Sequence, residues 1–201
     1  TPKTPLGMFV MPGTYQVRLT VNTTILTRAF EVIPDPRSAP SPATVAAQQE
    51  LLDRVSARVD QIHQRANQLR NVRDQLKTLT GLVASRADGD SIRAAATGLT
   101  AAIDSVEALM INPKGKTFQD VINFRNGIND QFLNLLAAVD GTDEPVTAGA
   151  KTRLLDLEKE WRNVAPRIDR ILGSDLTRFN AMIRTRDVPA IILPTTERAI
   201  P

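Results

Sequence analysis

Three groups of residues in this 201-residue chain have types and spacings that could do chemistry. Gly115-Lys116-Thr117 has the form of the end of a phosphate-binding loop, in which backbone amides and a lysine cradle a polyphosphate. That pattern needs a glycine where the chain has Met110, and a strand ahead of the loop where the chain has a helical pattern. A turn followed by the cap of a helix accounts for the same residues. Asp156, Glu158 and Glu160 are close enough in sequence to supply a carboxylate pair for glycoside hydrolysis. Such a pair needs burial or a neighbour to separate its two pKa values. Here the three alternate with Lys159 and Arg162 on the polar side of a helix, the pattern of an ion-paired surface. The third group is basic: Arg54, Arg58, Arg65, Arg70, Arg73 and Lys77. Glu50, Asp53, Asp60 and Asp74 are interleaved with it, and no aromatic residue offers base stacking. It reads as a solvated helix face, with an acidic partner surface as the alternative. Arg73 falls on the apolar stripe of this helix and breaks it, so it either pairs with a carboxylate on another helix or sits where the core has ended.

The remaining candidates are single residues. His63 is the one histidine and has no Cys or second His with which to share a metal. Trp161 lies on an apolar stripe and reads as a core anchor. Asn22-Thr23-Thr24 matches a glycosylation acceptor and, more simply, a hairpin turn. The sequence therefore assigns no catalytic, cofactor-binding or metal-binding residue and implies no cofactor. There are no cysteines, which rules out disulfides and thiolate chemistry and suits an exported bacterial protein. The chain carries 25 basic and 22 acidic residues, and no segment has the concentrated charge of a nucleic-acid domain. The longest uninterrupted apolar run, Leu135 to Val139, is far too short for a membrane span. Residues 1–11 lack the apolar stretch of a signal peptide.

These residues sit on a simple series of elements. Tyr15, Val17, Leu19 and Val21 alternate with polar residues, Asn22-Thr23-Thr24 turns, and Ile25 to Ile33 runs back as a second strand. A lone hairpin of this kind exposes an apolar face and both edges. The expectation is that it belongs to a sheet whose other strands lie upstream. Residues 34–42 hold four prolines and read as a stiff, extended linker. Four amphipathic helices follow, at about 43–83, 91–111, 117–139 and 146–183. Apolar residues recur in them at spacings of three and four. Pro166 should kink the last helix and Gly173-Ser174-Asp175 could break it. The fold class is mainly α: an elongated up-down four-helix bundle preceded by a β-hairpin from a truncated β-sandwich-like domain. The domains are the hairpin (1–33), the linker (34–42), the bundle (43–186) and an extended tail (187–201). Unequal helix lengths predict four helices side by side over part of the bundle and two beyond it. The tail should pack on the bundle end or pair with the hairpin.

Pro-Gly-Thr-Tyr-x-Val-x-Leu-Thr-Val-Asn at 12–22 is followed by Phe30-Glu31-Val32-Ile33-Pro34-Asp35-Pro36-Arg37 and then a long helix. Phe179-Asn180-Ala181-Met182-Ile183-Arg184 and Val188-Pro189-Ala190-Ile191 stand near the end. With these motifs the chain resembles the C-terminal region of large bacterial proteins with sortilin-like, BNR-repeat β-propellers, often labelled glycosyl hydrolases. The resemblance implies a propeller first, an immunoglobulin-like β-domain next and this helical region last, with any catalytic carboxylate in the propeller. The expected role is that of a non-catalytic C-terminal accessory module of a larger exported protein, structural or interactive. Its partners would be the β-propeller and β-sandwich domains of the parent chain, with self-association through the hairpin edge and no nucleic acid. Its location would be extracytoplasmic, periplasmic or secreted. The alternatives are part of a glycoside hydrolase whose catalytic residues lie upstream, or a helical binding module for an acidic partner.

Overall fold

Leu52, Val55, Val59, Ile62, Ala66 and Leu69 line one buried face of a single helix, α1 (Pro42–Leu82), in the computed structural model of the chain. The structure describes residues 8–38, 40–112, 114, 123–140, 142 and 144–193. At 1.5 Å per residue, the 41 residues of α1 span about 60 Å. Ser41 caps its start by accepting the Thr44 N–H at 3.1 Å, and Pro42 occupies the first turn, where a missing N–H costs nothing. The apolar stripe does not break at Arg73. Val72 takes the core position and the stripe runs on through Leu76, Leu79 and Val83.

The other helices are α2 (Gly89–Met110), α3 (Ile128–Asp140), α4 (Ala148–Arg170) and α5 (Leu176–Arg184). A five-residue π turn, Ile171–Asp175, joins α4 to α5. Two expectations need correction here. The third helix does not run unbroken from 117 to 139. Phe124 to Gly127 lie outside any helix, and α3 begins at Ile128; Thr117 is outside the described residues. The reason is a close approach of two backbones. A Cβ on Gly127 would stand 2.3 Å from the Met110 carbonyl oxygen, so the chain enters α3 through a contact that only glycine permits. Nor does the last helix break at Gly173-Ser174-Asp175. The buried residues Ile168, Leu172 and Leu176 are spaced four and four, which overruns a regular helix, and the wide π turn takes up the extra residue. α4 also continues past the exposed Pro166.

The mainly-α class with a β-hairpin is observed, and the helices pack in a particular way. Arg73 on α1 meets Asp104 at 2.9 Å and Arg70 meets Glu107 at 2.5 Å, so α2 runs antiparallel to the C-terminal half of α1. Gln48 donates to the Val139 carbonyl at 2.7 Å, so α3 runs antiparallel to the N-terminal half. The two short helices thus lie end to end, rather than side by side as the sequence leads one to expect. At about 33 Å and 20 Å they jointly cover one long apolar stripe. Arg54–Glu158 and Arg65–Asp169 bridges place α4 parallel to α1, and α4 with α5 packs on both α3 and α2. The core is therefore one continuous seam between three rods, and the tail enters it through Val188 and Ile191. The linker is not extended: Ser38 N–H returns to the Asp35 carbonyl at 3.1 Å, closing a turn.

Asp88, at the start of α2, caps nothing with its side chain because its carboxylate is taken by Arg86. That hydrogen bond holds the Asp88 carboxyl below the usual range, so its contribution to stability is present above that range and lost as pH falls through the lower folded value. Glycine substitution tests the packing. Gly127→Ala should destabilise the bundle by more than about 2 kcal/mol in chemical denaturation, because a backbone has to move. Gly98→Ala in α2, where a Cβ meets nothing within 4 Å, should stabilise it by about 0.5–1 kcal/mol.

Candidate interaction surface

The surface that the bundle does not use is the hairpin, β1 (Gly13–Val21) and β2 (Thr24–Val32). Its strands are rich in β-branched residues, which suit a pleated backbone. The two-residue turn at Asn22-Thr23 is possible because Asn22 adopts φ 53°, a left-handed backbone that asparagine tolerates. The register pairs Gly13 with Val32 and Val21 with Thr24. It thereby sets Tyr15, Val17, Leu19 and Val21 on one face with Phe30, Arg28, Leu26 and Thr24. The Tyr15 and Phe30 rings lie 6.0 Å apart, and the Tyr15 hydroxyl donates to the Met11 carbonyl at 2.6 Å. No other strand pairs with this sheet among the described residues. Each strand therefore turns every second N–H and C=O outward. Val17, Leu19, Ile25 and Leu26 are 56–60% exposed, whereas each of the 33 residues of the apolar cluster is at most 8% exposed.

The hairpin is tethered at its base. Met8 and Met11 pack against the core, and the Phe9 N–H donates to both carboxylate oxygens of Asp140 at 3.1 and 3.2 Å. Met11, Pro12, Pro34, Pro40, Val45 and Gln49 border an apolar cavity of about 440 Å³ at this neck. Asp35 and Arg37 brace the turn beside it. The Arg37 guanidinium and N–H hold the Asp35 carboxyl below its ordinary range.

The residues weighed for chemistry are scattered. Gly115, Lys116 and Thr117 fall outside the described residues; Met110 is buried at the end of α2. Glu158 turns toward α1 and bonds Arg54 at 3.0 Å, Glu160 meets Arg125 at 3.4 Å, and Asp156 is exposed. They form no shared pocket. The basic residues of α1 are not the free solvated face that their sequence suggests. Arg54, Arg65, Arg70 and Arg73 each bridge to a carboxylate on another helix, and Arg58 lies 5.8 Å from the centre of the Trp161 ring. The reason is length: the arginine side chain reaches from the flank of the stripe across a helix–helix seam. Arg73 takes the first of its two alternatives, pairing with Asp104 at 2.9 Å and Glu107 at 2.6 Å, and both raise its pKa. Trp161 is in the core and His63 is half-buried beside Ile62. Among the described residues no three His, Cys, Asp or Glu side chains gather as a metal site, and no helix is long and apolar enough to cross a membrane.

Three polar residues are buried, Gln48, Glu107 and Asn129. Gln48 occupies a core position and caps the end of α3 by donating to the Val139 and Thr142 carbonyls at 2.7 and 2.6 Å. Glu107 is buried between the two arginines. Its signal was present: it follows Ile103 by four and precedes Met110 by three, a carboxylate on an apolar stripe, with Arg73 on the opposing helix to match it. No family model, curated protein or solved structure matches the chain.

Removing the buried carboxylate leaves two arginines facing an apolar seam. Glu107→Ala should cost about 1–3 kcal/mol by chemical denaturation. Adding Arg73→Met should return part of that loss, and two changes that simply add would show that the pair is not coupled.

Proposed function

We propose that the chain is a non-catalytic accessory module in which the three-rod bundle is a stiff spacer and the hairpin is the docking element. In this reading β1 and β2 are the last strands of a β-sandwich-like sheet carried by the same polypeptide. The observation that supports it is the contrast in burial. The bundle covers its apolar stripes almost completely, while the hairpin leaves an apolar face and two strand edges uncovered. A two-stranded sheet of this kind gains its stability by pairing or packing with further structure. The tether at Asp140 and the proline-lined neck would hold the added sheet against one end of the rod. The resemblance to the C-terminal region of sortilin-like, BNR-repeat proteins supplies a partner of the right kind, an immunoglobulin-like β-domain. It also carries an extracytoplasmic location.

Hydrogen exchange tests this reading. The outward-facing amides of Gly13–Val21 and Thr24–Val32 should exchange close to the free rate in the separate chain. In the full-length polypeptide they should slow by about 100-fold or more. Leu19→Lys with Leu26→Lys should abolish that slowing and leave the α1 core amides protected. Hairpin amides that exchange equally fast in the full-length polypeptide would overturn the reading.

A further inference from the structure

The two faces of the hairpin differ in chemistry. The register leaves the face of Tyr15, Val17, Leu19, Leu26 and Phe30 apolar except at Thr24 and Arg28. The opposite face carries Thr14, Gln16, Arg18, Thr20, Thr27 and Glu31, with Ile25 and Ala29 as its apolar members. An antiparallel sheet patterned in this way packs a second layer on its apolar face and leaves the other in water. The covered face of the hairpin is therefore the one that contains Arg28.

Arg28 stands in the middle of that face. It lies opposite Val17, with Leu26 and Phe30 two residues away on its own strand and Tyr15 and Leu19 on the diagonals. It is exposed, and it makes no hydrogen bond or ion pair among the described residues. A layer stacked about 10 Å above the sheet would close over its guanidinium. A buried guanidinium without an anion is strongly unfavourable. The bundle meets the same demand with Glu107, whose buried carboxylate lies between Arg70 and Arg73. The apolar face of the hairpin has no carboxylate of its own, since Glu31 belongs to the opposite face. A second copy stacked through the same face would bring a second Arg28 and no acid. Charge thus favours a different surface as the cover.

We propose that the layer covering the hairpin is an apolar sheet that carries one carboxylate opposite Arg28, and that this ion pair sets where the hairpin sits on it. The inference rests on the docking reading above and specifies its partner. Apolar contact is non-directional and tolerates sliding. A planar guanidinium takes a carboxylate through two parallel hydrogen bonds, which fixes position as well as charge. A slip of two residues along β2 would set that carboxylate against Leu26 or Phe30 and leave Arg28 buried without it.

The test is hydrogen exchange of the hairpin amides in the full-length polypeptide, with Arg18 on the polar face as the matched control. Arg28→Met keeps a long apolar side chain but strands the opposing carboxylate, so the hairpin amides should exchange about 10-fold or more faster than in the parent. Arg28→Glu sets two carboxylates against each other and should remove the slowing altogether. Arg18→Met and Arg18→Glu make the same changes toward water and should leave it intact, and the α1 core amides should stay protected in all four variants. An Arg28→Met hairpin that exchanges as slowly as the parent's, or more slowly, would overturn the carboxylate and leave the docking reading standing. Equal losses in the Arg18 variants would overturn it too, and so would slowing that grows with concentration in the separate chain, since a second copy would then be the cover. A parent hairpin that is not slowed at all would overturn both readings.

Discussion

Everything in this structure depends on the need to cover α1. A helix of 41 residues with one unbroken apolar stripe exposes a band about 60 Å long, and burying it is the main favourable term available to the chain. No other helix among the described residues is long enough to do this alone. α2 and α3 therefore share one side in series, and α4, the π turn and α5 together cover the other. The Gly127 contact with Met110 and the π turn at Ile171–Asp175 follow from this constraint. The first lets two helices meet end to end. The second keeps a stripe in phase over a length that a regular helix would not.

Electrostatics refine what the apolar seam sets. The α1 arginines flank the stripe, and their partners Asp104, Glu107, Glu158 and Asp169 come from both opposing rods. Each exposed pair adds little to stability. As a set they favour one register, because a slip along α1 would leave Glu107 buried without a cation. Arg54, Arg65, Arg70 and Arg73 are thus directed at neighbouring helices, while Lys77 is exposed.

The hairpin stands apart from this logic. It adds nothing to the apolar cluster, is held through Met8, Met11 and the Asp140 carboxylate, and presents its own apolar face outward. A rod with nearly complete internal burial and an uncovered sheet at its base is the contrast on which the proposed spacer reading rests. That contrast supports the accessory reading more than any single side chain does.

The sequence by itself determined the local elements. The three-and-four spacing of apolar residues fixes the helices and their buried faces. The period-two pattern around Asn22 fixes the hairpin, but not its register: Thr24, read as part of the turn, is the first residue of β2 and pairs with Val21. These signals are legible because each depends on residues within one or two turns of one another. The tertiary structure decided which stripes meet. That α2 and α3 lie in series follows from comparing lengths across the whole chain. That α1's arginines are bridged depends on which helix lies opposite. Gln75 meets Ile192 across 117 residues of sequence, a separation over which no local periodicity carries information. The sequence could name the stripe, the strand and the tail; only closing the bundle brought their partners to them.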